Sequence, residues 1–447
     1  MPINKSSKNL RVLHSLLTSL LLCLTVAFFV LLAGTGGCAK ATKAPVLPQV
    51  SEDRPEAHFA RITKGPLLLR VSQNRAALMW EADAEGFGEL SYGVGEQFEK
   101  HISVEPERVE YRIRSKGGAR QKKTAFIYKT WLKNLRPGQV YDYRITGPQT
   151  QSSVYSFRTA PADTDEVTFA VYGDSRSRPK SHRKIVEQII KSKVDFVVNS
   201  GDLVTEGDRY WMWGPQFFEP LKGLAESVPV YAAKGNHDLS DENYFEKLLV
   251  PPGQSANFSF VYGPVHYSCG DNADEDSDPE ELLNWITDDA GGGSRALWKF
   301  VSYHIPSINF GGHWSSWGAP DAMPTFARAG VDFVITGHSH QYERFYPIIP
   351  PEGTNGSFVT YITSGGGGAP LYDVQLSPYH ASAKKIHHFC LFHIEANKLT
   401  MDTIDINGRV IDHLEISKTD ERLNEEYLQT AISLEAVQLY RDAHSEP

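Results

Sequence analysis

Between residues 165 and 365 the chain repeats one device, an apolar run that ends on a carboxylate, a carboxamide or an imidazole. "FAVYGD" ends on Asp174, "FVVNSGD" on Asp202, "VYAAKGNHD" on Asn236, His237 and Asp238, "FVSYH" on His304, and "FVITGHSH" on His338 and His340. Runs apolar at every position predict strands buried on both faces, unlike the alternating pattern of a half-exposed sheet. Between the first two lies "KSHRKIVEQIIKSK", whose Ile185, Val186, Ile189 and Ile190 form one helical face. Buried strands alternating with such helices predict an α/β layered fold. In open α/β sheets the loops after the strands crowd round one crevice, so these side chains are expected to meet.

A lone Gly-Asp is an ordinary turn. The whole ordered set is not explained by turns, and its carboxylates, carboxamide and imidazoles suit a pair of ions such as Zn, Fe or Mn. The order GD, GD, GNHD, VxxH, GHxH resembles the calcineurin-like metallophosphoesterase superfamily. "GHSHQYERFYP" and "YITSGGGGAPLY" are similar, more narrowly, to its purple acid phosphatase branch, and the resemblance covers about residues 60 to 415.

That resemblance implies a metallophosphoesterase layered β-sandwich flanked by helices, and a dinuclear site. Asp202 would bridge the two ions, Asp174 and His340 would complete the first, and Asn236, His304 and His338 the second. The implied activity is that of an acid phosphatase-like phosphoric ester hydrolase, in which metal-activated hydroxide attacks phosphorus in line. His237 matches the histidine that hydrogen-bonds substrate and protonates the leaving oxygen, and Asp238 is placed to orient its imidazole. His313, in "FGGHWSSWG", matches a histidine that reaches the substrate phosphate, with Trp314 and Trp317 either walling the pocket or packing the loop. Gly365 to Gly368 predict close backbone approach near the site, and Glu343 and Arg344 are expected to pair with each other under the metal loop. A phosphodiesterase or nucleotidase on the same site, or a non-catalytic surface-binding protein with a degenerate site, are the alternatives.

Two positions depart from the family pattern. Many metallophosphoesterases have Asp-x-His at the first motif, where this chain has Arg176, and Thr205 stands where purple acid phosphatases have a tyrosine ligand. A guanidinium does not bind metal. The first ion is therefore expected to be weakly held or completed by water, unless His182 reaches it as a ligand in place of a supporting or surface role. Arg176 is expected either to grip the substrate phosphate with its planar fork or to pair with a nearby carboxylate.

Ahead of this domain, "LLLRVS", "AALMWEA", "GELSYGV", "TAFIYKTWL", "YDYRIT" and "VYSFRTA" alternate like strands of an all-β sandwich. The turn at Pro137-Gly138 leading into Tyr141 and Tyr143, with Trp80 as core aromatic, resembles a fibronectin type III domain, spanning residues 60–161. The phosphoesterase-like domain follows at 165–418. Residues 419–447 are expected to form a helical tail with Leu428, Ile432, Ala436 and Leu439 at helical spacing, and the acidic "DNADEDSDPEE" at 271 to 281 a solvated loop.

Lys5, Lys8 and Arg11 precede an uncharged stretch from Leu16 to Gly34, the pattern of an export signal. Gly36-Gly37-Cys38 resembles the end of a bacterial lipobox, although Thr35 stands where leucine is usual. Residues 1–38 are therefore expected to be a signal with lipidation at Cys38, with an uncleaved membrane anchor or ordinary secretion as alternatives, and 39–59 a linker. The protein is expected outside the cytoplasm, tethered to the membrane as a periplasmic or surface lipoprotein. Cys269 and Cys390 are expected to be buried thiols rather than a disulfide. The net charge of −9 carries no basic stripe, which argues against a nucleic-acid partner.

Overall fold

The computed structural model describes residues 61–444 apart from 87, 115–117, 148–149, 275, 293–295, 320, 350–357, 420–421, 424–426 and 428. The expectations for the signal, Cys38 and the linker lie outside the described residues. No described helix is long and apolar enough to cross a membrane.

The buried runs form two facing sheets. One is built from Val230–Ala232, Phe196–Asn199 and Glu166–Tyr172 in parallel, continued antiparallel by His388–Glu395, Lys398–Asp405 and Val410–Thr419. The other places Val265–Cys269, Trp298–Ser302, Phe333–Thr336 and Thr360–Ser364 in parallel, flanked by antiparallel edges. Their facing sides share one core. Phe169 stacks on Phe196 at 4.7 Å and on Phe392 at 5.0 Å, and meets Phe300 of the opposite sheet edge-on at 5.1 Å. Such aromatic pairs each add about 0.5–1.5 kcal/mol beyond the area they bury.

Helices cover the outer faces. Pro179–Ser192 starts with proline in its first turn and stops at Lys193, which takes the left-handed conformation with φ 53°. Ile185, Val186 and Ile189 are buried against the first sheet, while Ile190, grouped with them by spacing, falls at the rim and is exposed. On the second sheet lie Pro279–Gly291, capped by the Asp278 carboxylate, and Ala322–Arg328.

The tail differs from expectation. Ile432–Ser433 is a short strand paired with Ile348–Ile349, and the helix begins only at Leu434 and runs to His444. It buries Leu434 and Val437 and leaves Leu439 exposed, because the strand resets the helical phase that the spacing from Ile432 assumed; the Leu428 side chain is outside the described residues.

The first hundred described residues form two antiparallel sheets around Trp80, Tyr128, Tyr143 and Phe157. The Tyr141 hydroxyl accepts the Arg136 amide at 2.9 Å, a tyrosine corner of the kind such sandwiches use, and Trp80 stacks on Tyr128. One sheet packs on the segment 203–250, with Leu67, Leu69, Met79 and Ile127 in the same core as Leu203, Tyr210 and Phe245. Lys64 and Glu81 are paired within that contact at 2.5 Å, and Tyr210 donates its hydroxyl to the same carboxylate.

Candidate metal centre

The carboxyl ends of strands from both sheets meet at one place. Backbone bonds tie the sheets together there: Gly173 donates to Ser364 at 2.8 Å and Gly367 to Gly173 at 2.9 Å, while Asp174 donates to Gly201, beyond the neighbouring strand of its own sheet, at 2.9 Å. Asp174, Asp202 and His338 have φ of 57°, 59° and 67°. Non-glycine residues adopt that region at a cost, and they cluster in this way where function requires a side chain to be aimed.

Four of the anticipated donors converge on a single pocket. His304 Nε2 lies 3.1 Å from Asn236 Oδ1 and 3.2 Å from Asp202 Oδ1, and His338 Nδ1 lies 3.3 Å from Asn236 Oδ1. The other nitrogen of each imidazole is committed. His304 donates Nδ1–H to the Ser200 carbonyl at 2.9 Å, and His338 Nε2 meets His313 Nδ1 at 3.0 Å. Each imidazole thus presents its remaining nitrogen to Asn236, the arrangement by which outer hydrogen bonds fix the tautomer of a metal-binding histidine.

The electrostatics agree with that role. Burial, reinforced by His304 and His313, pushes the His338 imidazole down to about 2, so it stays neutral with a lone pair to give. Burial alone would lower His304, but the Asp202 and Asp174 carboxylates raise it above its ordinary value. Burial alone would raise Asp202, but His304, Arg176 and His237 hold it below the usual carboxylate range. Ion binding and proton release are therefore coupled at this pocket. The donors present fit a cation held by Asp202, Asn236, His304 and His338.

A second group lies alongside. Asp174, Asp202 and His340 each offer a ligand atom, all within 4.8 Å of one another and all buried. His340 donates Nδ1–H to Pro370 O at 2.8 Å, and its ring is stacked on Tyr372 at 4.3 Å. Here Arg176 intrudes. It donates from Nε to Asp202 Oδ2 at 2.9 Å and from Nη2 to His340 Nε2 at 3.3 Å. Of the two roles expected for Arg176, pairing with a carboxylate is the one observed, and the carboxylate is the one expected to bridge two ions. Arg176 thus occupies two of the three donors of this group.

His182 is fully buried and both its nitrogens are engaged, by the Tyr172 hydroxyl at 2.8 Å and the Gln216 carbonyl at 3.0 Å. It supports the neighbouring loop and is not a ligand here. Thr205, which stands in place of the tyrosine of the family pattern, bonds the Gln216 side chain at 3.0 Å and Ser177 at 3.1 Å.

His237 sits beside the pocket. Its amide donates to Asp202 Oδ1 at 3.0 Å and its Nδ1–H to Thr205 O at 2.7 Å, which places the lone pair of the neutral ring on Nε2. Asp238 does not orient it. That carboxylate accepts the amides of Leu203, Val204 and Gly235 at 2.9, 3.1 and 3.0 Å, and so ties the Asp202 loop to the Asn236 loop. His313 is exposed at the rim, as a phosphate-contacting residue requires, but its Nδ1 is spent on His338. Trp317 is buried against Tyr303 and Trp314 packs edge-on to Phe310, so both pack the loop instead of walling the pocket.

The glycine run behaves as expected: a Cβ on Gly365 would come within 2.1 Å of Ser339 O and 2.9 Å of Asp174 Oδ2. Glu343 and Arg344 do not pair with each other. Alternation along Tyr342–Phe345 sends them to opposite faces, where Glu343 meets His380 Nε2 at 3.1 Å and Arg344 meets Asp412 at 2.6 Å. Asn272 and Tyr372 were missed in the sequence. The start of the acidic segment is not solvated: Asn272 is buried and accepts the His304 amide at 2.9 Å, and Asp271 pairs with Lys234 at 2.8 Å. Cys269 and Cys390 are buried free thiols, as expected.

The two-sheet sandwich thus gathers acidic and imidazole side chains at its strand ends. Residues 167–342 match the family model for calcineurin-like phosphoesterases, and the chain carries that domain. Purple acid phosphatases are among its homologues: it is 29% identical to purple acid phosphatase 21 of Arabidopsis thaliana over 54% of this chain and 58% of that one. It is 24% identical to acid phosphatase type 7 of Mus musculus over 56% of this chain and 63% of that one. The chain thus spans little more than half the length of these relatives. In fold it is similar to a purple acid phosphatase from yellow lupin (Lupinus luteus) seeds, with a TM-score of 0.65 and 17% identity over 81% of this chain and 75% of that chain.

Proposed function

We propose that the protein hydrolyses phosphate esters, monoesters before diesters, in a reaction that depends on an ion held by Asp202, Asn236, His304 and His338. The observation that carries this is the convergence of His304 and His338 on Asn236 Oδ1 at 3.1 and 3.3 Å, each with its other nitrogen tied back. An ion in that pocket supplies Lewis acidity toward a phosphoryl oxygen and makes bound water more acidic. His237, with Nδ1–H fixed on Thr205 O, takes a proton at Nε2 from solvent and passes it to the leaving-group oxygen as the ester bond breaks. Arg176, a permanent cation beside the ion pocket, offsets charge on the phosphate. Asp238 acts by holding the two ligand-bearing loops in register.

The rates on nitrophenyl phosphate and on its bis ester, with Mn, Zn or Fe supplied, test this. Preference for the monoester is expected. Preference for the bis ester would select the phosphodiesterase alternative, and no turnover of either, with less than one ion per chain, would select the non-catalytic one.

A further inference from the structure

We propose that Arg176 takes the place of the first ion, so that this chain runs on one exchangeable ion and one built-in guanidinium. The inference rests on the phosphoesterase reading of the same site. Its basis is how the shared carboxylate is divided. Asp202 Oδ1 faces His304 Nε2 at 3.2 Å and accepts the His237 amide at 3.0 Å, whereas Oδ2 accepts Arg176 Nε at 2.9 Å. With Oδ2 held by Arg176, the shared carboxylate keeps only Oδ1 turned toward the His304 side of the site. The cation on Oδ2 cannot be deprotonated or displaced by chelation.

His340 tells the same story from the other side. Its Nδ1–H is fixed on Pro370 O at 2.8 Å, so its Nε2 carries a lone pair, the form a metal ligand takes. That lone pair accepts Arg176 Nη2 at 3.3 Å. The guanidinium therefore meets two of the three donors that would otherwise hold an ion, and it does so from a side chain only 12% exposed. The remaining donor a tyrosine would have provided is absent, since Thr205 is engaged with Gln216 and Ser177.

The local backbone is built to deliver the arginine. Arg176 N donates to Asp202 O at 3.2 Å, and Ser177, at φ 69°, donates its amide to Gln216 Oε1 at 3.3 Å. The segment following Asp174 is thereby pinned across the mouth of the Asp202 loop. A guanidinium fixed in this way keeps positive charge at this position at every metal concentration.

Loading the full chain with excess Mn²⁺, removing free ion and counting bound metal tests the inference. One Mn²⁺ per chain is expected, with the uncoupled electron paramagnetic resonance signal of an isolated ion. It should disappear in Asn236→Ala and persist in Asp174→Asn. Arg176→His, which restores a ligating side chain, should bind two ions and show exchange coupling. Two coupled ions in the unaltered chain, or loss of the single ion in Asp174→Asn, would overturn the inference whatever Arg176→His does. No bound ion at all would overturn the metal site itself, whereas one ion without phosphatase activity would remove the proposed function and leave the count standing.

Discussion

Asn272 Oδ1 accepts the backbone amides of both His304 and Ile305, at 2.9 and 3.1 Å, while its Nδ2 donates to Ile305 O at 2.9 Å. A buried carboxamide outside the ion pocket thus fixes where the imidazole of His304 starts. Asn272→Ala is expected to weaken Mn²⁺ binding about 10–100-fold, the usual effect of removing support behind a ligand. Isothermal titration measures it, and unchanged affinity in a folded variant would show that His304 is held by its strand alone.

Lys64 and Glu81 are 6% and 4% exposed, and the pair joins the N-terminal sandwich to Tyr210, the first residue of the short helix Tyr210–Trp213 that follows Asp202 in the chain. Removing one member strands a buried charge. Glu81→Gln should cost about 3–5 kcal/mol in urea unfolding, whereas replacing both, as Lys64→Met with Glu81→Leu, should cost far less. A single variant as stable as the parent would mean that water reaches the pair.

Arg344 donates to Asp412 from Nε at 2.6 Å and Nη2 at 3.0 Å, and the Tyr342 hydroxyl donates to it at 2.6 Å. Burial would raise the Asp412 carboxyl, but Arg344 and Tyr342 hold it below the usual range. A depressed carboxyl contributes stability that is complete above its unfolded pKa of about 3.9 and is lost as pH falls through the lower folded value. Asp412→Asn should therefore lose about 3 kcal/mol at neutral pH. The gap to the parent should narrow below pH of about 4. A gap that stays constant with pH would exclude the ionised pair as its source.

Much of the site could be read from the sequence because each donor follows a buried strand within four residues of its end, so Asp174, Asp202, Asn236, His304, His338 and His340 needed no knowledge of the loops. What required the packed sheets was where long side chains end. Arg176 finds Asp202, and Arg344 finds Asp412, across 26 and 68 residues of chain. Asn272 lay hidden in an acidic segment whose composition says solvent, although that one side chain is buried. The strands Gln97–Ser103 and Glu107–Arg114 were missed for a related reason: they are mostly exposed and densely charged, and carry little of the apolar alternation that marks a half-buried strand.

The ion pocket formed by Asp202, Asn236, His304 and His338 is the centre of the account, and metal-dependent turnover tests it most directly. Protein stripped by a chelator should release no phosphate from nitrophenyl phosphate and regain activity on addition of Mn²⁺. His304→Ala should remain at least about 100-fold below the reloaded parent while keeping its fold, since loss of a ligand exceeds loss of its support. Equal activity in stripped and reloaded protein, or full activity in His304→Ala, would contradict it.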